Sequence, residues 1–250
     1  MIRKCWFIVA LTFAGWCACR AVIIADWTFE TSAPNAPTGT TAGPYNAESG
    51  VYSGSTSQAS GLHASSSTTW PSNVGNGSTH SFNSDHWASG DYYQFTTSSV
   101  GYNSIMITLS AVGSSTGPKN FKLDYSTDGI TFFDSGYTYS LVSSPTWSSS
   151  TTHSDSTENF SFYLTSITAL NNDAAIYFRL IDTSATTGGA INGGDVGISG
   201  ASRVDDFAIS GEIAAVPEPA AAGAIAGVWL LALCGWRVWR QSRCGEKLKS

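Results

Sequence analysis

The chain has 250 residues, of which 12% are charged and 42% are hydrophobic, and its formal net charge is −6. The charge is distributed unevenly, because residues 22–215 contain sixteen of the 18 acidic residues and only four of the 12 basic ones. This middle segment therefore carries a net charge of −12, which repels phosphate and excludes nucleic-acid binding through a basic patch. All five cysteines lie outside it, which excludes disulfide bonds, thiol catalysis and cysteine-ligated metals in the segment.

The first 21 residues have the order of a secretory signal peptide. Arg3 and Lys4 come first, an apolar run follows over residues 5–18, and small residues end the segment. The run is shorter than the roughly 20 residues that span a bilayer comfortably. We therefore predict that residues 1–21 direct export through the Sec translocon and are removed by signal peptidase. An uncleaved anchor and a lipoprotein signal ending at Cys19 are the alternatives.

The C-terminal region begins with Val216, Pro217, Glu218 and Pro219 and continues with seventeen uncharged residues, 220–236. A helix of that length spans about 25 Å, which is the short end of the range for a transmembrane helix. It extends to residue 239 if the first arginine after it reaches back to the lipid headgroups. The basic residues beyond the span place the tail, 244–250, in the cytoplasm and the acidic middle segment outside.

This region resembles the PEP-CTERM sorting signal of bacterial proteins in three consecutive parts. The motif Val216-Pro217-Glu218-Pro219 is followed by an Ala/Gly/Leu-rich span and by a basic cluster made of Arg237, Arg240 and Arg243. The resemblance covers residues 216–243, although the family usually ends sooner after its basic cluster than this chain does. It implies processing by an exosortase in the inner membrane and delivery to the cell envelope or to extracellular polysaccharide. An ordinary single-span anchor is the alternative.

The middle segment, 22–215, has an apolar period of two rather than the 3.6-residue period of a helix. Such alternation gives each segment one apolar and one polar face, as in half-buried strands. It predicts a first strand at Trp27 and Phe29, followed by strands at 91–97, 105–110, 121–125, 160–164, 176–180 and 203–209. The Ser126–Gly129 sequence predicts a hairpin turn between the strand at 121–125 and a second strand at 130–133. The natural packing of these elements is an all-β fold, an antiparallel β-sandwich of jelly-roll type.

Residues 31–90 give a weaker signal, since they are rich in Ser, Thr, Gly, Asn and Pro. We predict long loops and a few short strands that lie over the sheet. A disordered stalk is the alternative, but stalks seldom contain this many aromatic residues.

Two short sequences in the middle segment resemble those of the jelly-roll or lectin-like domains of secreted bacterial proteins. They are Asp26-Trp27-Thr28-Phe29-Glu30 and Arg203-Val204-Asp205-Asp206-Phe207-Ala208-Ile209. The resemblance implies that the first and last strands are neighbours and that Glu30, Asp205 and Asp206 hold a structural calcium ion, with Asp26 as a further candidate. Calcium prefers several oxygen ligands, which this acidic segment supplies. The alternative is that the two adjacent aspartates merely open a strand at a solvated edge.

No catalytic motif is present in the sequence. The four histidines form no metal-ligand pair, and no nucleophile elbow, phosphate-binding loop or dinucleotide-binding motif occurs. A glycosidase needs only two carboxylates, but no pair stands out. We therefore predict no enzymatic activity and no cofactor other than the calcium ion.

One aromatic residue is a candidate for ligand binding. Trp147 lies in an otherwise polar stretch, 146–152, so its ring has no apolar neighbours in sequence. We predict an exported envelope or matrix protein with a structural or adhesive role. The alternative is a carbohydrate-binding module that acts on extracellular polysaccharide.

Overall fold

The computed structural model describes residues 20–35, 37–143 and 147–214. The chain divides into two compact units, 1–213 and 214–250, and Ala214 is the described residue of the second unit. Nearly all of the predicted signal peptide lies outside the described residues. So do the whole sorting motif, the predicted span at 220–239, the basic cluster and the tail. Within the described ranges, no helix is long and apolar enough to cross a membrane.

The described residues form eleven β-strands and one short 3-10 helix, Thr168–Leu170. The strands are β1 (Ala21–Trp27), β2 (Thr41–Ala47), β3 (Gly54–Leu62), β4 (Phe82–Ser84), β5 (Tyr92–Thr97), β6 (Tyr102–Gly113), β7 (Asn120–Ser126), β8 (Phe133–Ser140), β9 (Asn159–Tyr163), β10 (Ile176–Asp182) and β11 (Ser202–Ile213).

The strands make two sheets in which every pairing between named strands is antiparallel. The five-stranded sheet has the order β1-β11-β6-β9, with β4 also paired to β11, and the six-stranded sheet has the order β2-β3-β5-β10-β7-β8. The prediction of an all-β fold with antiparallel sheets is therefore confirmed. The first and last strands are neighbours, as the resemblance implied.

Aromatic rings join the two sheets in the core. The rings of Phe95 in β5 and Phe207 in β11 are stacked, with centroids 3.5 Å apart and planes 3° apart. Trp27 in β1 packs edge-on against both rings, at 5.3 and 5.9 Å. All three side chains are fully buried. Because neighbouring residues in a strand point to opposite faces, every second residue enters this core, and the residues between them form the outer face of each sheet.

The region 31–90 is more ordered than the sequence indicates, since it contains β2, β3 and β4. The inward residues of β3 are Ser57, Ala59 and Gly61, all of them small and buried. Gly61 has no side chain for a physical reason: a Cβ there would lie 2.3 Å from the ring of Trp70. An apolar period of two is invisible when small residues fill the inward positions, so the sequence pattern missed this strand.

Two strand boundaries also differ from the prediction. Phe29 lies beyond the end of β1 and has a positive φ of 55°, yet its ring is fully buried. The turn after β7 is present, but β8 begins at Phe133 rather than directly after Gly129. Asp128 explains the longer turn, because its carboxylate accepts hydrogen bonds from the backbone N–H groups of Ile130 and Thr131, both at 2.8 Å.

Candidate functional site

The outer face of the six-stranded sheet brings together polar and aromatic side chains from three adjacent strands. Arg179 in β10 lies directly opposite Gln94 in β5 and Asp124 in β7. Ile181, the next residue of β10 on the same face, lies opposite Tyr92 and Lys122. All of these side chains are half-buried except that of Asp124, which is buried. We call this surface the open face, and define it by Tyr92, Gln94, Lys122, Asp124 and Arg179, together with Phe132 from the turn between β7 and β8.

Arg179 packs against two aromatic rings on the open face. Its guanidinium carbon lies 3.5 Å from the ring centroid of Phe132 and 4.1 Å from that of Tyr92. Its Nε donates a hydrogen bond to Oε1 of Gln94 at 2.8 Å. Burial lowers the pKa of Arg179, and the group nevertheless stays protonated, as arginine does in proteins. The rings and the amide therefore fix one orientation of a charged, planar group.

The second cation of the open face already has a partner. Nζ of Lys122 lies 2.8 Å from Oδ2 of Asp124. The other carboxylate oxygen of Asp124, Oδ1, is buried and has no hydrogen-bond partner in the structure. Asp134 lies opposite Asp124 on β8 and brings a further carboxylate to the edge of the sheet. The charges of Lys122 and Asp124 thus offset each other within the site.

The turn between β7 and β8 limits the open face on one side. The hydrogen bonds that Asp128 accepts from Ile130 and Thr131 favour its charged form and lower its pKa to about 2. Gly129 lies against the ring of Tyr177, where a Cβ would come within 3.0 Å of the ring. This rigid turn places Phe132 over Arg179.

The five-stranded sheet has a very different outer face. Asp205 in β11 and Ser110 in β6 lie opposite each other on it, and the loop 73–80 packs over them. Oδ2 of Asp205 accepts hydrogen bonds from the backbone N–H of Asn76 at 2.7 Å and from Oγ of Ser78 at 2.6 Å. The side chain of Asn76 donates to Oγ of Ser110 at 3.1 Å. We call this surface, with the loop 73–80 and the segment 147–159 that pack on it, the covered face.

The predicted calcium ligands lie at the covered face. Glu30 accepts hydrogen bonds from Oγ1 of Thr79 and the N–H of His80, in the same loop that binds Asp205. Burial raises the pKa of Asp205 to about 6. Burial raises the pKa of Asp206 to about 7, and the charge of Asp205 adds to the effect. The three carboxylates therefore interact electrostatically.

A metal centre needs more than electrostatic proximity. Within the described ranges, no group of three or more His, Cys, Asp or Glu side chains has an arrangement that could hold a metal ion. One oxygen atom could serve as a metal ligand: Oδ1 of Asp205 is buried and has no hydrogen-bond partner in the structure. The calcium site at Glu30, Asp205 and Asp206 accordingly stays a prediction.

Trp147 also lies at the covered face. Its side chain is 7% exposed, its Nε1 donates to Oε2 of Glu158 at 2.7 Å, and the guanidinium of Arg203 lies 5.7 Å from its ring centroid. In this structure the protein covers the ring that the sequence pattern offered for ligand binding. The rings of Tyr92 and Phe132, which the sequence analysis did not single out, are the more accessible ones.

Two small cavities lie elsewhere in the described structure. One, of about 220 Å³, is at the covered face beside Asp206, and the other, of about 240 Å³, lies beside His86 and Trp87. Small-molecule pockets usually measure about 300–1,000 Å³. Both cavities are therefore smaller than a usual small-molecule pocket.

Comparison with known proteins assigns the chain to no family. No protein-family model matches it, and no curated protein sequence matches it. Solved structures that it matches include the K2 cleaved adhesin domain of Lys-gingipain (12% identity, TM-score 0.37, covering 74% of this chain and 96% of that one). Others are the CBM22-1 xylan-binding domain from Paenibacillus barcinonensis Xyn10C (12%, 0.33, 80% and 99%) and TmCBM61 in complex with β-1,4-galactotriose (11%, 0.30, 62% and 88%). Similarity at this level assigns no ligand to the present chain.

Proposed function

We propose that the β-domain binds polysaccharide through the open face. The observation that carries the proposal is the central arrangement of Arg179 between the rings of Tyr92 and Phe132, on a sheet face that the rest of the described chain leaves accessible. A sugar ring has apolar C–H faces and a polar edge of hydroxyl groups. Aromatic rings with charged and amide groups between them match both features of such a ligand.

The open face is also preorganised for binding. The rotamer of Arg179 is held by two rings and by Gln94, and that of Lys122 is held by Asp124. Ordering a long side chain on binding costs about 0.5–1.5 kcal/mol, so groups already held in place retain more of their interaction energy. A flat sheet surface of several strands also accommodates a polymer of many sugar units, which an enclosed pocket does not.

The test is retardation of the full-length chain in native gels that contain soluble polysaccharides, both neutral and acidic. We expect at least one polysaccharide to retard the chain, and we expect the double variant Tyr92→Ala, Phe132→Ala to weaken that binding at least tenfold. Tyr163→Ala is the matched control, because Tyr163 is a 60% exposed tyrosine at the end of β9 in the other sheet. Equal retardation of the double variant and the wild type would refute the proposal.

We also propose that the protein is exported and sorted through its C-terminus by an exosortase-type transpeptidase. The support is the order of a Pro-Glu-Pro motif, an uncharged span and a basic cluster in the sequence. Mass spectrometry of the mature native protein tests this proposal. We expect the residues after the processing motif Val216–Pro219 to be absent, whereas an intact tail at 237–250 in a host with the enzyme would contradict it.

A structural calcium ion is a separate proposal for the covered face. Its support is the buried, unpartnered Oδ1 of Asp205, close to the charges of Glu30 and Asp206. Calcium would supply a positive charge to carboxylates that otherwise repel one another. It has a structural role and takes no part in the binding proposed for the open face.

A further inference from the structure

The open face contains an unusual share of the positive charge of the domain. Between residues 22 and 215 there are four basic residues, Lys119, Lys122, Arg179 and Arg203, against sixteen acidic ones. Two of the four lie on the open face: Lys122 is two residues from Asp124 in β7, and Arg179 is paired with Asp124 from β10. Arg203 lies in the other sheet, and Lys119 is an exposed residue immediately before β7.

Arg179 differs from Lys122 in making no direct ion pair in the described structure, although Asp124 lies opposite it on β7 and the charge of that carboxylate favours the protonated guanidinium. Among the described residues, no Asp or Glu oxygen lies within 4.0 Å of its guanidinium, although the domain is strongly acidic. Its Nε is bonded to Gln94, and its guanidinium carbon lies against the rings of Tyr92 and Phe132. The Nη1 and Nη2 groups, which lie in the same plane, make no hydrogen bond within the part of the chain that the structure describes. They form a fork of donors at a half-exposed surface.

We propose that the polysaccharide bound by the open face is acidic, and that Arg179 binds the carboxylate of a uronate unit; this inference rests on the proposed function. A carboxylate is planar and presents two oxygens, so it matches the fork of a guanidinium with two parallel hydrogen bonds. Bonds between two charged groups are about twice as strong as neutral ones. The flanking rings give the sugar that carries the carboxylate an apolar surface for stacking.

The net charge of −12 opposes the approach of an acidic polymer over long distances. At 0.15 M salt the Debye length is about 8 Å, so exposed charges farther away are largely screened. The contact at Arg179 acts at hydrogen-bond distance and is screened much less. Binding is therefore expected at physiological ionic strength, and weaker in very dilute buffer, where the repulsion extends farther.

The experiment measures the affinity of the full-length chain for polygalacturonate, alginate and hyaluronate in 0.15 M salt. The matched probes are the same polymers after reduction of their carboxyl groups to primary alcohols, and dextran sulfate tests a different anion. We expect reduction to weaken binding of the preferred polymer at least tenfold, and dextran sulfate to bind at least tenfold more weakly than that polymer. Equal binding of the native and reduced polymers, or equal binding of dextran sulfate, overturns the inference.

Variants locate the effect at one side chain. Arg179→Gln keeps hydrogen-bond donors without the charge, and we expect it to lose at least tenfold in affinity for the acidic polymer. Arg179→Lys keeps the charge without the fork and is expected to recover only part of the loss. Lys119→Gln removes the same charge from an exposed site outside the open face and is the control. Equal affinities of Arg179→Gln and Lys119→Gln for the acidic polymer would contradict the assignment.

The outcomes separate this inference from the function on which it rests. If the chain binds neutral polysaccharides through Tyr92 and Phe132 but prefers no acidic polymer, the proposed function stands and the inference about carboxylates fails. If the chain binds neither kind of polymer, both fail.

Discussion

The two outer faces of this sandwich use their charged side chains in opposite ways. On the covered face, Asp205 is fully buried and its Oδ2 is bonded to Asn76 and Ser78, in a loop of the same chain. On the open face, Arg179 is half-buried, and its Nη groups have no partner in the described structure. A buried charge must be satisfied by the protein itself, because leaving it unpaired costs several kcal/mol. A half-exposed charge is satisfied by water and is free to exchange water for a ligand.

This difference indicates which face is built for stability and which for recognition. The carboxylates at the covered face bind its loop to the sheet, so their contacts belong to the fold. On the open face, Arg179 is held by Gln94, Tyr92 and Phe132, while its Nη groups have no hydrogen-bond partner in the described structure. The following predictions test that division, beginning with the ring contact that joins the two sheets in the core.

The largest effect is expected from the ring contact that joins the two sheets. Phe207→Ala removes the ring stacked on Phe95 and leaves a cavity between the sheets, which should lower the free energy of unfolding by about 3–5 kcal/mol. Urea denaturation of the full chain measures this change. Phe133→Ala is the control, since its side chain is 53% exposed and its loss should cost less than about 0.5 kcal/mol. Similar effects of the two substitutions would show that the sheets are not joined at Phe95 and Phe207.

The next effect concerns a carboxylate beneath the open face. Burial, and to a lesser extent the charge of Asp91, raise the pKa of Asp182 to about 6 from its ordinary value of 3.8. Between these two values the folded state binds a proton that the unfolded chain has released, so the stability that Asp182 contributes is lost as the pH rises through about 6. Asp182→Asn removes this loss and should raise the free energy of unfolding at pH 8 by about 3 kcal/mol relative to the wild type.

The pH profile supplies the control for that prediction. Burial lowers the pKa of His63 to about 4, so His63 contributes stability that is lost as the pH falls from about 6.5 towards 4, the opposite direction. This contribution is common to wild type and variant and cancels in their difference. If the free energies of unfolding of Asp182→Asn and wild type differ by the same amount at pH 4 and pH 8, the result would contradict a buried charge at Asp182.

A smaller effect is expected at the covered face if it binds calcium. A hundredfold excess of calcium over its Kd would stabilise the folded state by about 2.7 kcal/mol. Asp206→Ala should then abolish most of the calcium-dependent rise in Tm without unfolding the sandwich. Thermal unfolding of the full chain, titrated with calcium and then with EDTA, measures this. A Tm that is insensitive to both additions would refute the calcium site.

The smallest effect is expected at Trp147. Because its ring is 7% exposed and its Nε1 is bonded to Glu158, Trp147→Phe should change polysaccharide affinity less than twofold while lowering Tm. Affinity electrophoresis beside thermal unfolding measures both quantities. A tenfold loss of affinity with unchanged Tm would move the binding site to the covered face and support the original prediction for this residue.

The sequence predicts much of the sheet architecture but only part of the candidate site. The alternation in β6, β7 and β10 identifies strands because their inward residues are large and apolar. In β3 the inward residues are small, since Trp70 packs against Gly61, and the pattern disappears. The alternation of inward apolar residues with outward polar ones along β5 and β10 indicates that Tyr92 and Arg179 point outward. Their proximity could not be predicted, because it depends on the pairing of two strands that are far apart in the sequence.

The most direct measurement of the central claim is hydrogen–deuterium exchange of the full chain, with and without the polysaccharide that retards it most strongly in native gels. A polymer on the open face covers the turn that holds Phe132 and shields its exposed amides. We therefore predict slower exchange in peptides covering residues 127–138, with no change in peptides from the loop 73–80 or the segment 147–159. Slower exchange confined to those covered-face peptides, or no change in the turn at saturating polymer, would contradict the account.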